Sequence, residues 1–346
     1  MVVGFNVIMY SGPITFRPFP SFGRRASPAP GIPATRARPT QRRCSRHQQR
    51  RGLCGRTLAA GATPPIETGS RPPFQLRQSE NVEQLRNAIK VFINNDHEMI
   101  PNLIQLVFHT CIGGCDGCIN EEEPANRGLR GTYAAVRQFW GPHASLLTLA
   151  DTIVLMASEA IKISMEMEEG SGTVNVPFTS GRRTCQDPDN YNRELVFPHG
   201  DKTDDVAQLV AEFGLSRKQA IALLGAHSVG RCRLENSGFA GRWDNTELIL
   251  DNHYYKSLVG TDWKSTLVSG QHQWNATESD DSRMMLNSDL ALLKDFSMAN
   301  NQPSCSNSKS CRDSSDASQV KIYARNGEEW RRDFIQAFLK MVNKGL

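Results

Sequence analysis

Apolar positions recur along this chain mostly at helical spacing. Val82, Leu85, Ile89 and Phe92 follow Ser79, a stripe with a polar cap that predicts a helix opening after that serine. Pro101 opens a second predicted helix through Leu103, Leu106 and Val107, and further helices are expected over Leu129 to Phe139, Leu146 to Ile161 and Asp205 to Phe213, the last stopped by Gly214. Ser216-Arg217-Lys218-Gln219 has capping-box spacing ahead of a short helix, Ala220 to Leu224, ended by Gly225. Trp330, Phe334, Phe338 and Met341 mark a C-terminal helix. Strand signals are few: Ile163 to Met167 alternates, and Val174 to Phe178 is expected to pair with it as a minor β-hairpin. The pattern predicts a mainly α fold, with neither an internal repeat nor a glycine-rich phosphate loop after a strand.

Length and charge sharpen this picture. At 346 residues, 39% hydrophobic and 22% charged, the chain suits one large domain or two modest ones. Asp151 and Glu159 interrupt its longest apolar stretch, Leu146 to Ile161, which falls short of the roughly 20 apolar residues of a spanning helix, so no membrane insertion is expected. Residues 1–70 carry eleven arginines against a single acid, Glu67, a charge of +10 that leaves −6 for the remainder. The body therefore has no positive field with which to hold nucleic acid. Residues 1–72, rich in Pro, Arg, Gly and Ser, are expected to be a disordered tail ahead of one domain at 73–346. The tail's composition is that of an organelle transit peptide; a poor secretory signal and translated non-coding sequence are the alternatives.

Seven cysteines lie in the body, with close spacings at Cys111, Cys115 and Cys118 and at Cys305 and Cys311. A zinc site would need a second paired half that the CxxxCxxC run lacks. The loop-confined pair Cys305/Cys311 and the sequon Asn275-Ala276-Thr277 favour disulfides in an oxidising compartment, with secretion preferred and an organelle as the alternative. An odd count leaves at least one body thiol unpaired or paired to the tail.

Two histidines stand out by context. His109 ends an apolar run, Leu103-Ile104-Gln105-Leu106-Val107-Phe108-His109, that leads into a Gly- and Cys-rich loop. His227 lies in Leu224-Gly225-Ala226-His227-Ser228-Val229-Gly230, flanked by small residues that let a flat ligand approach the backbone. Together the two strings resemble the distal and proximal signatures of the plant-type haem peroxidase superfamily, over essentially Pro73 to Val342. Ser237 to Trp243 resembles the SGFEGPW run of ascorbate peroxidases, Leu286-Asn287-Ser288-Asp289 the family's LxSD, Ala125-Asn126-Arg127-Gly128-Leu129 its ANNGL segment, and Val176-Pro177-Phe178 through Arg182 its VPFxxGR segment near the haem edge.

The resemblance implies two helical subdomains around a b-type haem, with His227 on the iron, Asp289 on the far nitrogen of His227, and Trp243 beside it. A carboxylate on an imidazole N–H makes that histidine a stronger donor to iron. On the opposite face His109, oriented by Asn126, would act as base and then acid in splitting H2O2, with Phe108 on the haem edge and Pro177 nearby. Ser228, Asp244, Thr246, Ile249 and Asp251 match the proximal Ca2+ pattern of the fungal branch, all hard oxygen donors. A second, distal Ca2+ is not expected, because Thr110 and Cys118 stand at its ligand positions.

Gln105 is the main departure. It sits one helical turn before His109, where the family carries a distal Arg that stabilises developing negative charge. Ascorbate peroxidases' substrate Arg falls at Asn236; the fungal Mn2+ cluster keeps Glu98 but has Asn102 and Arg233; the surface Trp of lignin peroxidases corresponds to Ala222. The expected activity is H2O2-dependent oxidation of small aromatic or phenolic donors by a monomer, in the handling of oxidative stress. The alternative is a haem-binding sensor or scavenger with weak turnover.

Overall fold

The computed structural model describes residues 74–198, 200–278 and 281–346. The expected tail, residues 1–72, lies outside them. Helices dominate, as the periodicity predicts. The first group comprises α1 (Phe74–Asn95), α2 (Met99–Cys111), α3 (Leu129–Trp140) and α4 (Leu149–Glu166), with α2 packed on both α3 and α4. The second comprises α5 (Asp205–Phe213), α6 (Arg217–Leu224), the short α7 (Leu234–Ser237), α8 (His253–Gly260), α9 (Asn287–Leu293), α10 (Ala317–Arg325) and α11 (Gly327–Val342). Within it α11 lies on α6 and α10 on α8, while α11 also touches α2 and so joins the two groups.

Local signals explain most boundaries. Ser216 accepts from Gln219 N and the Gln219 side chain returns to Ser216 N, the expected capping box, and Gly214 closes α5 in the left-handed region at φ 61°. Helix α1 begins at Phe74, so Ser79 lies inside it rather than capping it. Pro101 falls in the first turn of α2, where its missing N–H removes no helix bond. Gly225 ends α6 as its C-cap, as expected, and opens a 3₁₀ turn, Gly225–Ser228.

The strand pair expected at Ile163–Met167 and Val174–Phe178 is not formed. Residues 163–166 are the last turn of α4, because Ile161, Ser164 and Met165 bury at helical spacing and each further residue adds a bond to a helix already started. Val174 and Val176 do point inward in alternation with exposed neighbours, but Val174 N is taken by Glu166 Oε1 (2.9 Å) and Pro177 has no N–H for a ladder. The hairpin lies elsewhere. Two very short strands, β1 (Arg231–Cys232) and β2 (Gly241–Arg242), pair with each other. Then β3 (Trp263–Val268) pairs antiparallel with β4 (Gln271–Ala276), which pairs with β5 (Met284–Met285). Ser269 and Gly270 turn the hairpin with φ of 47° and 85°, the backbone that matches strand twist.

Three disulfides, Cys111–Cys115, Cys118–Cys185 and Cys305–Cys311, pin the loops, and Cys232 is buried outside these bridges. Arg182 ties α4 to the chain's end: its guanidinium pairs with Asp151 Oδ1 (2.9 Å) and donates to the Val342 carbonyl (2.8 Å) and Asn343 Oδ1 (3.0 Å). No described helix is long and apolar enough to cross a membrane.

Candidate functional site

A cleft enclosing about 610 Å³, part of it open to solvent, lies between the two helix groups. From α2 it receives Pro101, Ile104, Gln105 and Phe108; facing them are Leu223, Leu224, Ala226, His227 and Val229, with Leu209 of α5 at the side. Phe334, Phe338 and Met341 of α11 complete a largely apolar lining.

On one side the last turn of α2 presents His109. Its Nδ1 lies 2.7 Å from Asn126 Oδ1, and Asn126 Nδ2 donates to the Asn120 carbonyl at 2.8 Å. A carbonyl can only accept, so the amide orientation is fixed, and with it the tautomer: His109 carries its proton on Nδ1 and its lone pair on Nε2. Gln105 Nε2 stands 3.5 Å from that Nε2. Phe197 stacks obliquely on the His109 ring at 4.9 Å, and Phe108 meets it edge-on at 5.8 Å.

On the other side His227 sits on the 3₁₀ turn that follows α6. Gly225 lets this turn approach α11, since a Cβ there would fall 2.4 Å from Trp330 Nε1. His227 Nδ1 donates to Asp289 Oδ1 at 2.8 Å. The fully buried Asp289 carboxylate also accepts from Trp243 Nε1 (2.6 Å), Tyr254 OH (2.8 Å) and Leu286 N (2.8 Å). These bonds hold the proton of His227 on Nδ1, leaving Nε2 as the basic nitrogen of a residue that lines the cavity. Trp243 stacks on the imidazole at 4.4 Å, with 19° between the planes. An apolar cleft, one imidazole anchored by a carboxylate and small residues beside it form a donor set that fits a flat iron porphyrin.

The five oxygen-bearing positions also come together. Ser228 Oγ donates to Asp244 Oδ2 (2.7 Å) and lies within 3.3 Å of the Ile249 carbonyl and 3.0 Å of Asp251 Oδ1. Thr246 reaches Asp244 Oδ1 through its N (2.7 Å) and Oγ1 (3.1 Å). Burial pushes the Asp244 carboxyl up to about 6, with the like charge of Asp251 adding to it. His253, which the sequence reading did not single out, holds Asp251 Oδ2 through Nδ1 at 2.5 Å. Among the described residues no three His, Cys, Asp or Glu side chains cluster for a metal, so this set rests on two carboxylates supplemented by hydroxyls and a carbonyl.

The structure thus gathers His109, Gln105, Asn126 and Phe108 on one side and His227, Asp289 and Trp243 on the other. Pro177 is exposed and absent from the cavity lining. Cys118 is committed to its disulfide, and Ala222 is fully buried with its carbonyl accepting from Trp330 Nε1 (3.1 Å). Sequence reasoning missed Tyr254, Phe197 and the role of α11 as a wall. The α11 stripe was visible, but a periodic stripe does not say whether it faces core or cavity.

Comparison with known proteins identifies the family. A family model described as "Peroxidase" matches residues 85–301. A Yarrowia lipolytica protein named "Putative cytochrome c peroxidase, mitochondrial" is 27% identical over 290 residues, covering 76% of this chain and 89% of that protein. A Mycosarcoma maydis protein named "Putative heme-binding peroxidase" is 27% identical over 265 residues, 71% of this chain and 72% of its own length. The "Cytochrome c peroxidase, mitochondrial" of Candida glabrata is 28% identical over 299 residues, 78% of this chain and 73% of its own length.

Proposed function

The chain belongs to the peroxidase family and is a haem peroxidase, and on that premise we propose that His227 holds the iron of a b-type haem while His109 moves the proton of H2O2. The observation that carries the reading is the pair of oppositely prepared histidines, one locked by Asp289 and the other by Asn126. When bound, haem supplies the iron that takes one oxygen from peroxide and stores two oxidising equivalents until donors return the electrons.

The side chains do the rest. Asp289, by accepting from His227 Nδ1, raises the electron donation of that imidazole. His109 Nε2 takes the proton from the near oxygen of H2O2 and returns it to the far oxygen, which leaves as water. Gln105 orients the peroxide by donating from its amide but brings no charge to the departing oxygen. Small aromatic or phenolic donors enter along the apolar lining near Phe108 and Phe338. The cluster of Ser228, Asp244, Thr246, Ile249 and Asp251 holds one Ca2+, whose charge offsets two buried carboxylates. The three disulfides suit an oxidising compartment, and the names of the relatives point to an organelle rather than to secretion.

Gln105 supports a second reading, a haem-binding protein that turns over weakly. Steady-state oxidation of a small phenol by haem-loaded protein, with and without H2O2, separates the two. The first reading expects peroxide-dependent turnover that falls by about 10² to 10⁴ in His109→Ala. Haem binding with no turnover above that variant would establish the second.

A further inference from the structure

Behind His227 a continuous run of aromatic rings leads away from the cavity. Tyr254 meets the His227 imidazole edge-on at 6.0 Å, Tyr254 and Tyr255 are 4.8 Å apart, and Tyr255 reaches Tyr323 at 5.3 Å. All three tyrosines are fully buried. Each hydroxyl nonetheless has an acceptor: Tyr254 donates to Asp289 Oδ1 (2.8 Å), Tyr255 to the Ile221 carbonyl (2.6 Å) and Tyr323 to Asp333 Oδ2 (2.9 Å). Packing alone does not require this, because phenylalanine fills nearly the same space without a polar group to desolvate. The run ends just under the surface, where Lys218 Nζ, on a half-exposed side chain, pairs with Asp333 Oδ2 at 2.8 Å.

We propose that Tyr254, Tyr255 and Tyr323 form a relay that carries oxidising equivalents from the His227 side of the cavity to the Lys218–Asp333 surface, where a one-electron reductant outside the protein is oxidised. The relay rests on the haem peroxidase reading above and adds to it a second place where electrons enter. Tyr254 and Tyr323 each bond a carboxylate that takes the phenolic proton as the electron leaves, whereas Tyr255 bonds only the Ile221 and Ala222 carbonyls and passes the electron on while keeping its proton. At Tyr323 the electron passes inward through Tyr255 and Tyr254, and the phenolic proton passes to Asp333. A neutral phenoxyl and a neutral carboxylic acid result, while Lys218 keeps its ion pair with Glu329. The outside reductant then returns one electron to the phenoxyl and Asp333 returns the proton. Two such passages accompany each H2O2, which takes two electrons and two protons to become two waters. Asp289, already accepting from Tyr254, plays the matching part at the inner end.

Rapid-freeze electron paramagnetic resonance on the haem-loaded full chain, after one equivalent of H2O2, tests the relay. The expected result is a tyrosyl signal, identified by its narrowing in protein carrying ring-deuterated tyrosine. It falls to background in both Tyr323→Phe and Tyr255→Phe, while the visible absorption change caused by peroxide persists in both. Oxidation of ferrocyanide slows in the same two variants, and oxidation of a small phenol does not. Tyr323→Phe removes only a hydroxyl at the far end, so it reads the relay even if Tyr255→Phe folds poorly. An unchanged tyrosyl yield in Tyr323→Phe, or a normal absorption response with no tyrosyl signal in the natural protein, overturns the relay alone. No absorption response to peroxide in the natural protein overturns the cavity reading and the relay with it.

Discussion

Among single residues, Gln105 sets the rate to be expected with peroxide. A preorganised charge-stabilising donor is typically worth about 10² to 10³ in rate, so peroxide activation should be slow although His109 and Asn126 are in place. Gln105 lies one turn before His109 and lines the cavity, so Gln105→Arg should bring a guanidinium to the same space. Stopped-flow mixing with H2O2 should show a faster absorption change in Gln105→Arg with unchanged haem retention. Equal rates in the two proteins would mean that another donor already supplies the charge. His109, Asn126, His227, Asp289 and Trp243 were legible in the sequence because the motifs that carry them are short and local. Tyr254 was not, because its bond to Asp289 spans 35 residues and a tyrosine inside a helix gives no signal of its partner.

Among elements, helices were legible and strands were not. A stripe such as that of α11 repeats over several turns, whereas the five residues from Ile163 to Met167 fit either period, and burial of Ser164 and Met165 decided the matter. The β3–β4 hairpin escaped notice because Lys264, Ser265 and Thr266 break its alternation and only its Ser269-Gly270 turn is distinctive. The segment from Ser228 to Asp251 gives an element-scale prediction. With two buried carboxylates facing each other, chelation of Ca2+ should lower the thermal midpoint, and restored Ca2+ should recover it. Insensitivity to chelator in calorimetry would remove the Ca2+ assignment. The Cys118–Cys185 bridge, which closes a loop across a separation of 67 residues, gives another. Replacing both by Ser should cost roughly 2–4 kcal/mol in denaturant unfolding, whereas the short Cys305–Cys311 loop should cost less.

For the whole molecule, the hydrogen-bonding residues assigned to the site lie within 105–289, its apolar lining runs from Pro101 to Met341, and the described fold begins at Phe74. A chain starting at residue 73 should therefore retain haem and show the same thermal midpoint as the full chain. A lower midpoint or lost haem in the shorter chain would show that the Arg-rich segment takes part in the fold. Composition separated that segment from the body by its Pro, Arg, Gly and Ser content and by charge, +10 against −6, but could not place it in a compartment. The relation between the two helix groups was legible only through the family resemblance. Periodicity identifies which face of a helix is buried and says nothing about which distant helix meets it, as α11 and α2 do around the cavity.

In the proposed division of work, His227 in the cavity lining holds iron, and His109, which contacts the lining residue Gln105, handles the proton. Absorption spectra of haem-loaded protein, recorded before and after H2O2, test it most directly when the natural protein is compared with His227→Ala and His109→Ala. His227→Ala is expected to lose haem or hold it weakly, while His109→Ala keeps a full haem spectrum and responds to peroxide far more slowly. Equal haem loss in the two variants, or an undiminished peroxide response in His109→Ala, would contradict it.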